Sequence, residues 1–288
     1  MTPALWGMLT ALGWGCGDFI ARFTSRGIGH VSALFGALTV GGIILAAWAW
    51  GAGIVIDFDP SGVWLLVFAG VGIMGATLLL YQGLAIGPVA VVSPIVASYP
   101  VFIVLIAVAL GTRPSAPEWL AMAVVMGGVF LVARYAGNIE EADEGRPERF
   151  RFAILIALGA SMLFAIAITA GQFATAVYGE FQTVLLTRWV AIASMVPFFF
   201  LPRQRPRVPM RWWPLIILQG IMDGGAYLAL FNGHTGTGGI VTAVVASGFT
   251  GVTVILARIV IRESITALQW LGIALVVSGV AALTWLGD

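Results

Sequence analysis

Apolar residues run along this chain in long unbroken blocks, without the polar-apolar alternation of soluble strands or the half-polar faces of soluble helices. A helix rises 1.5 Å per residue, so crossing a hydrocarbon layer about 30 Å thick takes about 20 consecutive apolar residues. Ten such runs lie near residues 3–22, 31–51, 62–83, 88–110, 117–135, 151–177, 180–201, 212–232, 238–261 and 266–286. They predict an all-α integral membrane protein with ten transmembrane helices, here numbered span 1 to span 10. Membrane strands are ruled out, because the runs are continuous and about twice the length of a barrel strand.

Most breaks are short, such as Asp57-Phe-Asp-Pro60, Gly87-Pro88 and Gly111-Thr-Arg-Pro114. Two are strongly polar: Gly137 to Arg149, rich in Asp and Glu, and Pro202 to Arg211, rich in Arg. The first falls at the midpoint and reads as a linker, 138–150, between a repeat over 1–137 and a repeat over 151–288. Val96-Ala97-Ser98 in one half answers Val245-Ala246-Ser247 in the other. Trp119-Leu-Ala-Met-Ala-Val-Val-Met-Gly-Gly-Val129 matches Trp270-Leu-Gly-Ile-Ala-Leu-Val-Val-Ser-Gly-Val280 at six of eleven positions. With five spans per half, the second half enters from the opposite face, so the repeats are expected to be inverted about an axis in the membrane plane.

Composition agrees: 60% of the 288 residues are hydrophobic and 9% charged, against roughly 25% charged in ordinary globular domains. A net charge of +1 gives no basic field for nucleic acid. Cys16 is the only cysteine and His30 and His234 the only histidines, so neither a disulfide nor a thiolate metal cluster is expected. Nothing resembles the nucleophile-base pair or metal set of a membrane-embedded enzyme, and no metal or cofactor is expected. The first run has no basic flank and is too long for a cleaved leader, so it reads as a retained span.

Every basic residue is an arginine. Arg22, Arg26, Arg134, Arg146, Arg149, Arg151, Arg203, Arg205, Arg207, Arg211, Arg258 and Arg262 fall on one side of the predicted topology, and Arg113 on the other. By the positive-inside rule the first side is cytoplasmic and both termini are external. Most tryptophans, Trp48, Trp119 and Trp270 among them, lie near span ends, as interfacial tryptophans do.

An ionisable group inside the membrane is expensive and therefore a functional candidate. Arg188 in span 7 and Asp223 in span 8 lie at nearly the same depth, so they are expected to pair toward the bundle interior, either as a structural lock or as a grip on substrate charges. Gln219, Asp223 and Tyr227 are four apart and share one helix face, which suggests the wall of a hydrated cavity or interhelical hydrogen bonds. Trp14 and Trp189 lie near mid-depth, where each could stack on substrate or fill the core. Asp18 and Arg22 are four apart on span 1; a local ion pair is the simple reading and proton carriage by Asp18 the functional one. Ser93-Pro94, Ser98 and Tyr99-Pro100 interrupt span 4, while Ser247-Gly248 and Thr250-Gly251 soften span 9. Breaks at matching positions of two repeats point to a transport site. Since Met74 and Leu78 align with Asp223 and Tyr227, the first repeat is expected to supply mostly apolar wall. Spans 5 and 10 are expected to pack outside.

The chain resembles the ten-helix EamA-like branch of the drug/metabolite transporter superfamily. The resemblance rests on Trp14-Gly15, Gly87-Pro-Val-Ala-Val-Val-Ser-Pro94, Arg262-Glu263-Ser264, Gln269-Trp-Leu-Gly-Ile-Ala274 and Ser278-Gly-Val280, in that order and spacing. Thr112-Arg113 departs from it, standing where the family usually has an acidic residue. The resemblance implies two inverted five-helix repeats and export or exchange of small metabolites, with amino-acid exporters, including those for aromatic amino acids, the nearest functional relatives. The expected partners are a small-molecule substrate and the bilayer, in a monomer or homodimer. A channel or lipid scramblase is the alternative, and after it a membrane-embedded enzyme. No catalytic motif comes with the resemblance, so the candidate binding set is Arg188, Asp223, Gln219, Tyr227, Trp14, Trp189, Tyr99, Ser98 and Ser247, with Asp18 the proton-coupling candidate.

Overall fold

The computed structural model describes residues 2–57, 59–111, 113–135, 147–202, 205–233, 242, 245–246 and 248–286. The first repeat contains α1 (Pro3–Ile28), α2 (His30–Gly51), α3 (Val63–Ile86), α4 (Val89–Val96), α5 (Tyr99–Ala109) and α6 (Ala116–Tyr135). The second contains α7 (Pro147–Tyr178), α8 (Glu180–Ser194), α9 (Trp213–Gly233), α10 (Phe249–Val260) and α11 (Ala267–Leu286). Span 4 is thus two helices. Pro94 inside α4 and Pro100 in the first turn of α5 each remove an N–H and crowd the preceding turn. Ser98 Oγ donates to the Ile95 carbonyl at 2.7 Å, satisfying one of the acceptors freed at this break.

The packing has an internal two-fold relation. Helix α3 packs along α7 as α1 packs along α9; α3 meets α8 as α9 meets α2; α6 meets α11. Exchanging the repeats carries each of these pairs into another of them or into itself. The relation holds residue by residue where glycine lets backbones close in. A Cβ on Gly128 would lie 2.6 Å from the Gly272 carbonyl, and one on Gly279 would lie 3.2 Å from the Ala121 carbonyl. Shifting the first contact by the 151 positions separating the two tryptophan motifs gives the second. The order of these contacts makes α6 and α11 antiparallel, whereas Gly36 and Gly220, against Ile216 and Val40, make α2 and α9 parallel. Both directions are those of two inverted five-span repeats.

The turns repeat as well. Gly29 (φ 84°) joins α1 to α2 and Gly179 (φ 74°) joins α7 to α8, in left-handed conformations that suit glycine. Gly111 (φ 100°) after α5 corresponds to Arg262 (φ 54°) after α10, the one non-glycine left-handed residue among those described.

Large apolar side chains such as Trp50, Leu120, Phe130, Leu155, Phe200 and Ile259 face outward, while Thr10, Thr24, Gln219 and Thr253 are buried. Water would reject such a surface and lipid accepts it. Helices over His30–Gly51, Pro60–Ile86, Val89–Ala109, Glu148–Tyr178, Glu180–Phe200 and Met210–Leu230 are each long and apolar enough to cross a membrane. The chain is a multi-pass membrane protein.

Candidate functional site

A central cavity lies between the repeats, with about 170 Å³ open to the centre of a water molecule. One water centre needs roughly 10–15 Å³, so the space holds several waters or a small metabolite. Its wall draws on α1 to α5 and on α7 to α10, and α6 and α11 pack outside. Helix α2 contributes Leu34, Ala37 and Leu38, which the sequence reading had not assigned to the wall.

The cavity has a charged pole. Arg188, its side chain 6% exposed, pairs through Nη1 with Asp223 Oδ2. Arg188 lies eight residues into α8 and Asp223 ten before the end of α9, so both are about 12–15 Å from the arginine-poor face. The guanidinium carbon lies 5.0 Å from the centre of the Tyr227 ring, within cation-π range. Tyr227 meets Trp14 edge-on at 5.3 Å, and Trp14 meets Phe249 at 6.1 Å. Glycine makes room for the pair: a Cβ on Gly41 would lie 2.6 Å from Arg188 Nη1 and 3.2 Å from Asp223 Oδ2. Asp18 lines the same cavity. Two carboxylates and one guanidinium therefore share a space with an aromatic wall of Trp14, Tyr99, Phe164, Tyr227 and Phe249.

The other pole is neutral. Tyr81 lies five residues before the end of α3 and Ser93 four into α4, both about 6–8 Å from the arginine-rich face. Gln219 Nε2 donates to Tyr81 Oη at 2.6 Å, and Gln219 Oε1 accepts from Thr24 Oγ1 at 2.9 Å. The Ser93 hydroxyl is hidden from bulk water and has no hydrogen-bond partner among the described residues.

Beyond this pole a polar clasp joins the repeats. Glu263, in the turn after α10, accepts hydrogen bonds from the Val89 and Ala90 N–H groups, both at 3.1 Å. These are orphan donors at the start of α4, where the helix dipole also favours a carboxylate. The same carboxylate lies 2.9 Å from Arg22 Nη1, which donates to the Gly87 carbonyl at 3.0 Å. The sequence reading placed Arg22 with Asp18; the structure sends its guanidinium to Glu263, because α4 and the turn after α10 close over the end of α1.

Of the candidate residues, the structure brings Arg188, Asp223, Tyr227, Trp14, Tyr99 and Asp18 to the wall. Gln219 lies behind it, fully buried between Tyr81 and Thr24. Ser98 lies at the α4–α5 break with its Oγ 3.3 Å from Ser161 Oγ, and it is absent from the wall. Trp189 is 40% exposed on the outside of α8, because the residue after Arg188 is turned about 100° around the helix. Ser247 falls outside the described residues. The first repeat supplies more apolar than polar wall, with Leu34, Leu38, Ile73, Leu80 and Val96 among it, and it also brings Asp18, Thr77, Tyr81, Ser93 and Tyr99. Ile73, Thr77 and Tyr81 make a four-residue stripe on α3 like the one on α9, one position away from the alignment that compared Met74 and Leu78. Among the described residues no group of histidine, cysteine and carboxylate side chains could hold a metal ion.

A family model described as the EamA-like transporter family matches residues 1–134 and again 151–285. A solved crystal structure of a protein is similar over 97% of this chain and 95% of its own, with a TM-score of 0.67 and 17% sequence identity. That likeness shows the fold alone. No curated protein matches.

Proposed function

Because the chain belongs to the EamA-like transporter family, which is non-enzymatic, we propose that it exports or exchanges an amino acid, with an aromatic side chain the best fit, across the plasma membrane. The observation that carries this reading is one cavity holding both charge signs, Arg188 with Asp223 and Asp18, beside an aromatic wall. A zwitterion with an apolar body needs these surroundings: a carboxylate for its ammonium, a cation for its carboxylate and rings for its side chain. Asp223 already engages Arg188, so Asp18 is the carboxylate left for an ammonium or a proton.

Transport proceeds by alternating access, the two inverted repeats rocking about the cavity. The packing supports this, since the repeats meet along exchangeable helix pairs and enclose the polar groups between them. The arginine distribution supports an orientation with both termini external. Ten spans suffice for a self-contained pathway, so transport by a monomer is the simplest arrangement.

The test is flux into proteoliposomes of purified protein loaded with a panel of aromatic, aliphatic, acidic and basic amino acids. Saturable uptake accelerated by the same amino acid on the far side supports exchange and excludes a channel. Failure of every amino acid to move or to compete ends the substrate assignment.

A further inference from the structure

Resting on that reading, we infer that the neutral pole of the cavity is a specificity subsite for a hydrogen-bonding tip, such as a phenolic hydroxyl, on the far end of an aromatic substrate. The two poles lie at different depths. The Arg188–Asp223 pair is about 12–15 Å from the arginine-poor face, and Tyr81 and Ser93 are about 6–8 Å from the arginine-rich face. Along α9 the poles are one helical turn, about 6 Å, apart, since Gln219, which holds Tyr81, lies four residues before Asp223. A single ring carrying a hydroxyl spans that distance from an amino-acid head. Apart from Thr77, the wall beside these groups is largely apolar, with Leu38, Ile73, Leu80, Val96 and Phe164 lining the cavity that the ring would fill.

The chemistry of the neutral pole suits a small neutral group. Gln219 is held by Thr24 on one side and gives its N–H to Tyr81 on the other, so in this arrangement the Tyr81 proton is left for the cavity. Ser93 is 1% exposed, and its hydroxyl has no partner among the described residues. A buried hydroxyl without a partner is costly, and a ligand that supplies one removes the cost. Tyr81 and Ser93 each both donate and accept, so they match a hydroxyl better than a fixed charge. A site built to hydrogen-bond a substrate hydroxyl rejects the analogue that lacks it, because its own polar groups then stay unpaired.

The experiment measures binding to purified protein in micelles, by thermal shift and competition, for two ligand pairs that differ by one hydroxyl: tyrosine against phenylalanine, and tyramine against phenethylamine. Wild-type protein is expected to bind the hydroxylated member about five- to tenfold more tightly. Ser93→Ala and Tyr81→Phe are expected to bring that ratio close to one. The ratio is the readout because general damage weakens both members together. Ser93→Ala gives up no hydrogen bond seen in the fold and carries the test where Tyr81→Phe, which strands Gln219, fails to fold. Equal binding within the pairs by wild type, or a ratio that both variants leave intact, overturns the subsite. Amino acids that bind without discrimination sink the subsite alone. Discrimination confined to the amine pair sinks the amino-acid reading alone, and absence of binding by all four sinks both.

Discussion

Removing the Glu263 carboxylate should loosen the joint between the repeats. Three donors converge on it: the N–H groups of Val89 and Ala90 and the guanidinium of Arg22. The Arg22 and Glu263 side chains are 12% and 9% exposed, so water does little to replace what is lost. Breaking such a buried pair from one side costs about 3–5 kcal/mol, and partial exposure puts Glu263→Ala near the lower end, about 3 kcal/mol. At about 2 °C per kcal/mol for a chain of this size, the melting temperature should fall by about 6 °C. Glu263→Gln keeps one acceptor without the charge and should lose about half as much. Arg22→Ala should cost less than Glu263→Ala, since the carboxylate keeps both N–H donors. The double variant isolates the pair, and a coupling of about 1–2 kcal/mol is expected from a double-mutant cycle. The assay is fluorescence-monitored melting of the four proteins in one detergent. Strict additivity, or a Glu263→Ala melting point within error of wild type, would refute the claim that this contact fastens the turn after α10 to α4.

Further predictions follow from single observations. Asp223→Ala should abolish proteoliposome flux while the protein still elutes as a folded species on gel filtration; wild-type flux would remove Asp223 from the site. Gly41→Ala would push against Arg188 Nη1 and Asp223 Oδ2 and should weaken substrate binding at least about tenfold, whereas Gly51→Ala, with nothing within 4 Å, should match wild type in the same titration. Arg262→Gly relieves a left-handed φ of 54° and should raise stability by up to about 1 kcal/mol, and a lower melting point would refute strain at this turn. Gly128→Leu should separate α6 from α11 and lower the melting point by several degrees, while Gly127→Leu, facing open space, should not.

What the sequence makes legible, and what it hides, follows from which forces set each feature. Span number comes from the hydrocarbon thickness, a one-dimensional constraint written in run length, so it can be read without knowing any contact. The matched tryptophan motifs were equally readable, and their offset of 151 positions carries a real contact pair, Gly128 with Gly272 answering Gly279 with Ala121. The Arg188–Asp223 pair was found from depth alone, because a membrane leaves few places for such charges. Azimuth is harder. Trp189 shares its depth with Arg188 but points about 100° away, off the buried side of α8 that Gln182, Thr183, Thr187 and Arg188 mark. Arg22 had two acceptors to choose from, and only the fold puts Glu263 within reach although 241 positions separate them.

The same reasoning explains why the first repeat looked apolar. Comparing the halves at one fixed offset assumes that the site obeys the symmetry of the scaffold. The scaffold does obey it, since helix packing depends on small residues recurring at equivalent places, as Gly29 and Gly179 or Gly128 and Gly279 do. A substrate has no two-fold axis, so groups that face it are free to diverge. Gly70 against Val190 answers Gly220 against Val40, and in that register α9 carries Asp223 where the stripe of α3 carries Ile73, and Tyr227 where it carries Thr77. The second repeat thus brings the Arg188–Asp223 pair, and the first brings Asp18 and most of the hydroxyl groups, to a single cavity, and an asymmetric ligand is held in one orientation by a frame that is nearly symmetric. A substrate of that kind must present unlike ends to the two repeats, which a symmetric diamine or a plain hydrocarbon does not.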